Sequence, residues 1–257
     1  MGRVAVVAEP LLVIDSLVKR YGGLVALDQV SMQITPGTLH AVIGPNGAGK
    51  TTLAAHVVGE LLPDRGKVWF AGQDITRLPP HVRSALGLGR SFQITSIFSD
   101  LTVLDNVALA VQARAGHSFR FWRAADRDAS LRMPALECLV EVGLDHRAEQ
   151  IAGTLAHGEK RALEVAMVLA TRPRLLVLDE PMAGMGHQDS ARLVRLLARL
   201  KTSYTVMLVE HDMDAVFALA DQVTVLVYGR IIATGSGEQV RRDEAVRHAY
   251  LGEREAS

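Results

Sequence analysis

The sequence predicts an α/β protein: a P-loop nucleotide-binding core on a mainly parallel sheet, with an antiparallel β edge near the start and a helical subdomain inserted in the middle. Three observations carry this. The apolar run Leu39-His40-Ala41-Val42-Ile43 leads through a glycine-rich loop, Gly44 to Thr52, into the helix-compatible stretch Leu53 to Val58. Apolar strands alternate with helical stretches again from Leu175 onward, the pattern of a sheet covered on both faces. Between about residues 94 and 169 the strand signals fade and helical periodicity takes over. A length of 257 residues suits one large domain, read here as 1–257 with the helical subdomain inserted.

In order, Leu11–Ile14 and Ser16–Val18 read as an opening strand, and Val25–Leu27 and Val30–Ile34 continue a β-rich edge. Pro36-Gly37 turns the chain into the strand before the loop. Pro63 to Gly66 is a turn, Lys67–Phe70 a strand, and Pro79-Pro80 opens a short helix through Arg83, proline being tolerated in a first turn. Leu104, Val107, Ala108 and Val111 share one helix face, and Leu136, Leu139 and Val140 suggest another over Met133–Val142. The Arg-rich stretch Arg114–Arg132 between them reads as a solvated excursion. Strand Leu175–Leu178, a helix through Leu193, Leu196, Leu197 and Leu200, strand Thr205–Val209, a helix Met213–Leu219, and strands Val223–Val227 and Arg230–Ala233 complete the alternation.

About half the residues are hydrophobic, ample for a core, and Lys+Arg and Asp+Glu balance at 28 each. That balance argues against a nucleic-acid backbone as partner. The lone Cys138 excludes an intramolecular disulfide framework, fits a reducing compartment and reads as a helix-core residue. The apolar run at Val4–Ala8 is too short for a secretory signal, and the longest apolar region, Ala162–Leu178, is cut by Glu164, Arg172, Pro173 and Arg174, so no span is expected.

The loop Gly44-Pro45-Asn46-Gly47-Ala48-Gly49-Lys50-Thr51-Thr52 fits the pattern G-x-x-x-x-G-K-[ST]. Its glycines let backbone N–H groups turn toward phosphate oxygens, and the following helix adds its positive end. Lys50 brings a cation to the β- and γ-phosphates and the Thr51 hydroxyl suits Mg²⁺. This predicts a nucleoside-triphosphate site. Downstream, the apolar run Leu175–Leu178 ends in Asp179-Glu180. At the carboxyl end of a central parallel strand Asp179 supplies a hard oxygen for Mg²⁺, and Glu180 orients or deprotonates a water. Val209-Glu210-His211-Asp212 closes the next strand in the same way; His211 is either a γ-phosphate partner or a structural histidine. Gln93, after Leu88–Phe92, is either a metal- or water-contacting hinge or an ordinary surface glutamine. Leu155-Ala156-His157-Gly158-Glu159 feeds a helix whose N-terminus offers free N–H groups, and spacing alone leaves open whether it is only a capped helix.

Taken together these motifs resemble the nucleotide-binding subunit of an ABC transporter, in order and approximate spacing, over nearly the whole chain. The resemblance implies ATP and Mg²⁺ as cofactors and Tyr21 as the ring that stacks on adenine, the alternative being a ring packed on the β edge. It also implies a homo- or heterodimer sandwiching two ATPs, with the 155–159 segment of one subunit capping the γ-phosphate held by the other. Membrane permease subunits are the implied partners, and the inner face of the cell membrane the implied location. Arg90-Ser91-Phe92-Gln93, the insertion Gln112–Pro134, Glu210-His211-Asp212-Met213 and Ala249-Tyr250-Leu251-Gly252-Glu253 look like the ATPases of branched-chain amino acid uptake and their relatives for amides and urea.

Two positions depart from the family pattern. Its signature usually reads Leu-Ser-Gly-Gly-Gln, so Ala156 lacks the serine hydroxyl; one lost hydrogen bond to a charged group costs about 1.5–3 kcal/mol if nothing replaces it. Gly186 stands where an Asp or Asn usually couples the two sites of a dimer. A soluble ABC protein of DNA repair or translation is the competing class, against which stand the neutral charge balance and the lack of long coiled coils. A low-turnover ATP-binding switch is the third.

Overall fold

The computed structural model describes residues 9–91, 97–115 and 128–251. In chain order the elements are β1 (Leu12–Tyr21), β2 (Leu24–Ile34), β3 (Leu39–Ile43), α1 (Lys50–Val58), β4 (Arg65–Phe70), β5 (Gln73–Asp74), α2 (Pro80–Ala85), β6 (Leu88–Ser91), α3 (Val103–Ala115), α4 (Ala129–Val142), α5 (His157–Ala170), β7 (Leu175–Asp179), α6 (His187–Leu200), β8 (Thr205–Val209), α7 (Met213–Leu219), β9 (Gln222–Val227), β10 (Arg230–Gly235), α8 (Gly237–Arg242) and α9 (Glu244–Leu251). They fall into two compact units, one from the described parts of Met1–Arg83 and Lys201–Ser257, the other from the described parts of Ser84–Leu200.

The first unit holds two sheets. The antiparallel sheet runs β2-β1-β4-β5. β1 extends beyond the sequence expectation through Lys19-Arg20-Tyr21, and Gly22-Gly23 makes the turn, with Tyr21 paired to Leu24. In the second sheet β3 lies between β8 and β9, parallel to both, and β10 returns antiparallel on β9. β3 and β8 are buried at every position, which is why they read as continuous apolar runs and not as alternating ones. Ala41, Ile43, Val223 and Val225 form a core with Val216 of α7, Val240 of α8 and Val246 of α9. The last two helices, six and eight residues long, are too short to give a helical signal that can be read in the sequence.

α1 is fixed at its C-terminal end by Arg83, whose side chain is 1 % exposed. Its guanidinium donates to the carbonyls of His56 (2.6 Å), Val57 (2.8 Å), Leu78 (2.8 Å) and Thr76 (2.9 Å). Burial pulls its pKa down to about 10, still far above neutrality.

The second unit contains the parallel pair β6–β7, in register Leu88↔Leu175 to Ser91↔Leu178, and the mutually packed helices α3, α4 and α5. The predicted helical character holds. On α3, Leu104, Val107 and Ala108 are buried as expected. On α4 the expected face is corrected: Leu131, Ala135, Leu139 and Val142 are buried, whereas Val140 is 58 % exposed. The helix begins earlier than the apolar pattern indicated, at Asp128, whose carboxylate accepts from the Ser130 N–H at 2.9 Å. Pro134 thus sits in the second turn and masked the true start. Cys138 is half-buried on this helix, and burial, with Glu141 and Glu137 nearby, pushes its thiol up to about 11. No helix among the described residues is long and apolar enough to cross a membrane.

Candidate nucleotide site

In the first unit the loop follows β3 and ends on α1, as its sequence requires. Gly44 has φ 154, and a Cβ there would lie 2.0 Å from the Leu226 carbonyl oxygen, so the tight exit from the strand admits only glycine. Nothing stands within 4 Å of a Cβ placed on Gly47, so the loop's outer side is open where a ligand must enter. Asn46, Gly47 and Thr51 are exposed, Gly49 and Thr52 half-buried, and Ala48 buried. Lys50 is 5 % exposed. Its ammonium reaches back across the loop and donates to the carbonyls of Gly44 at 2.8 Å and Pro45 at 3.0 Å. A buried cation at the positive end of a helix, beside an open loop and a threonine hydroxyl, is a donor set suited to phosphate and its metal ion.

The register of β3 and β8 pairs Val42 with Val209, so His211 emerges at the same sheet edge as the loop. Its ring is 59 % exposed. Its backbone N–H donates to Glu210 Oε2 at 3.0 Å, and Nδ1 lies 3.7 Å from the same oxygen. Glu210 itself is fully buried. Asp212 caps α7, accepting from Asp214 and Ala215 N–H at 3.1 Å. Tyr21 ends β1 with its ring 47 % exposed and the Lys19 ammonium 5.4 Å from the ring centre. A ring half in solvent with a cation over it is available for stacking.

In the second unit β7 is buried throughout and ends in Asp179, which is 0 % exposed. Its Oδ2 lies 3.2 Å from Nη2 of Arg90, a residue quoted in the sequence only as part of a motif. The signal for it was an arginine inside a strand segment, Leu88–Ser91, since a buried cation needs an anion. Glu180 is half-buried and has φ +47, a left-handed conformation that costs a non-glycine residue ~1–3 kcal/mol and clusters at functional sites. Gln93 lies outside the described residues.

The 155–159 segment feeds α5 as the sequence indicated. Leu155 is buried, Ala156 is the N-cap and His157 is exposed at the first helical position. Ala156 has no side-chain oxygen, so only the return half of a capping box forms: its N–H donates to Glu159 Oε2 at 3.0 Å. Glu159 Oε1 is in turn 3.3 Å from Arg147 Nε. A Cβ on Gly158 would sit 2.8 Å from Asp189 Cγ, so the close approach of α6 favours the glycine. A Cβ added to Gly186 would meet nothing within 4 Å, so space does not explain its departure from the family pattern.

The family model for the ABC transporter matches residues 27–183, and that for the branched-chain amino acid ATP-binding cassette transporter matches residues 230–256. The chain is 36% identical over 255 residues to the high-affinity branched-chain amino acid transport ATP-binding protein BraF of Pseudomonas aeruginosa, covering 96% of this chain and 99% of that one. It is 35% identical to the protein of the same description, LivG, of Escherichia coli K12, with the same coverage. A solved ATP-binding cassette of an ABC transporter in its ADP conformation superposes with a TM-score of 0.84 at 29% identity, over 95% of this chain and 100% of that one. With the loop, the capped α5 and the acidic end of β7 in place, the chain belongs to the ATP-binding ATPase subunits of ABC transporters, in the branched-chain amino acid transport (LivG/BraF-like) subgroup.

Proposed function

We propose that this chain is the motor subunit of an importer for branched-chain or other hydrophobic amino acids, or related small amides, and that it works at the cytoplasmic face of the membrane. The whole chain, 1–257, acts as one ABC ATPase domain with the helical subdomain of about 94–169 inserted. It pairs with a second ATPase subunit and docks on permease subunits, which select the solute. The substrate class follows from the relatives BraF and LivG, both named for branched-chain amino acids.

The observation that carries the nucleotide reading is the Lys50 ammonium, buried at the N-terminus of α1 and held 2.8–3.0 Å from loop carbonyls. Lys50 and the loop amides offset charge on the β- and γ-phosphates. Tyr21 stacks on the adenine. Thr51 and Asp179 are the residues that hold Mg²⁺, with Gln93 at the metal or the water; bound there, the metal supplies Lewis-acid stabilisation of phosphate charge. Glu180 orients and deprotonates the attacking water, and its left-handed backbone sets the carboxylate's direction. His211 hydrogen-bonds a γ-phosphate oxygen. Leu155, Ala156, His157, Gly158 and Glu159 of one subunit cap the γ-phosphate held by the other through the α5 N-terminus.

Replacing Glu180 with Gln tests the assignment in the transporter assembled with its permease. Steady-state hydrolysis should fall by at least about 10²-fold while ATP binding persists. Unchanged hydrolysis would remove Glu180 from the mechanism. Uptake of labelled leucine that does not depend on this chain would remove the amino-acid assignment.

A further inference from the structure

We propose that Arg90 is a positioning residue for the metal-binding carboxylate Asp179, holding it aimed whether or not Mg²⁺ is bound. The proposal rests on the reading of Asp179 as a metal ligand.

β6 and β7 run parallel with Arg90 opposite Val177. Asp179 is two residues further along β7, on the same face as Val177, because side chains alternate with period two. Arg90 and Asp179 are therefore a diagonal cross-strand pair, within reach of a long side chain. The contact is 3.2 Å between Nη2 and Oδ2, with the two side chains 12 % and 0 % exposed.

A fully buried carboxylate is unstable as an anion without a cation beside it. A metal ion that arrives and leaves with nucleotide cannot fill that role throughout a cycle. Arginine can, because Arg90 is part of β6 itself and its planar fork has a fixed direction. Arg90 engages the carboxylate at Oδ2 and in doing so restrains its orientation. This is the arrangement by which outer partners orient metal-binding carboxylates, and losing such a partner typically weakens metal affinity 10–100-fold. Arg90 also adds positive charge near the metal, which opposes binding. The orienting effect is the larger because a metal-binding carboxylate that loses an outer partner loses its fixed direction.

The test titrates Mg²⁺ into the full chain with a fluorescent N-methylanthraniloyl derivative of ATP as probe, reading the Mg²⁺ concentration at half-maximal signal. Variants are Arg90→Met, Arg90→Lys, Asp179→Asn and the Arg90→Met/Asp179→Asn pair. Arg90→Met should raise the midpoint about tenfold or more, with probe affinity in EDTA unchanged. Arg90→Lys, which keeps the charge but not the fork, should fall between it and the wild type. On the Asp179→Asn background Arg90→Met should add nothing, and that pair, having lost both buried charges, stays foldable if Arg90→Met does not. A midpoint unchanged or lowered in both Arg90 variants, while Asp179→Asn raises it, overturns the positioning role alone. If Asp179→Asn itself leaves the midpoint unchanged, the metal reading of Asp179 falls and takes the positioning role with it.

Discussion

Replacing Arg83 with Met should be among the most damaging substitutions outside the nucleotide site. Methionine preserves much of the side-chain bulk but none of the donors. Four carbonyls lose their partner: His56, Val57, Leu78 and Thr76. The bonds to His56 and Val57 are buried, whereas those to Leu78 and Thr76 are only part-buried, so water can replace the latter two. Each buried acceptor left unpaired costs about 1–3 kcal/mol. Loss of a cation at the C-terminal end of α1 adds about 0.3–1 kcal/mol. Relief of the guanidinium's own desolvation offsets part of the sum, which leaves a net loss of about 4 kcal/mol. For a chain of this size that is roughly an 8–16 °C fall in midpoint. Differential scanning calorimetry, backed by urea titration, measures it. The Arg83→Lys variant should lie in between, because one ammonium cannot span carbonyls on both α1 and the 76–78 turn. An Arg83→Met protein within about 1 kcal/mol of wild type by urea titration would refute the idea that this side chain clamps α1.

Two further outcomes are expected. His40 and His56 are both held near pKa 4 by burial, with the charges of Lys19 and Arg83 adding to the effect at His56. The unfolded chain takes up these protons near pH 6.5, so the stability they contribute is complete above that pH and is lost as pH falls toward 4; by pH 5 the loss is about 2 kcal/mol per imidazole. His56→Leu, which removes two ring nitrogens without hydrogen-bond partners, should flatten the acid slope and leave stability at pH 7 unchanged or raised, as thermal midpoints across pH 5–8 would show. Ala156→Ser should complete the cap of α5 and raise stability by about 1 kcal/mol. In the assembled transporter it should raise turnover roughly tenfold or more by restoring a charged hydrogen bond. Equal stability and equal rate would mean that Glu159 and His157 already compensate.

The strand–loop–helix unit, the buried β7 and β8 and the start of α5 were legible in the sequence because each is specified by residues close together. β3 and β8 could be read as strands because fully buried parallel strands read as short apolar runs. What escaped was non-local or conformational. Arg90 and Asp179 are 89 positions apart, and no periodicity links them. Arg147 and Glu159 meet only because the chain between them folds back through Ile151, bridged to Thr102. The positive φ of Glu180 has no residue signature, since glycine is what normally announces it. On α4 the apolar residues Leu136 and Val140 suggested the wrong face because Leu131 lies upstream of Pro134, where the helix was not expected to begin.

The two ends of α1 show how the fold separates stability from function. At the C-terminal end Arg83 meets the carbonyls of His56 and Val57, where helix dipole and cation attract. At the N-terminal end Lys50 is buried beside the positive pole, where dipole and cation repel, and the bonds to Gly44 and Pro45 hold it there. The first arrangement lowers the free energy of the folded chain unconditionally. The second is relieved when an anion enters the loop, so the unfavourable contact in the empty site becomes differential affinity for the filled one. A triphosphate in the loop would meet both the helix amides and the ammonium at once. The same logic applies to Glu180, whose backbone strain is borne by the fully buried β7 that precedes it. The end of the helix that Arg83 clamps is what allows the opposite end to hold a buried cation beside its positive pole.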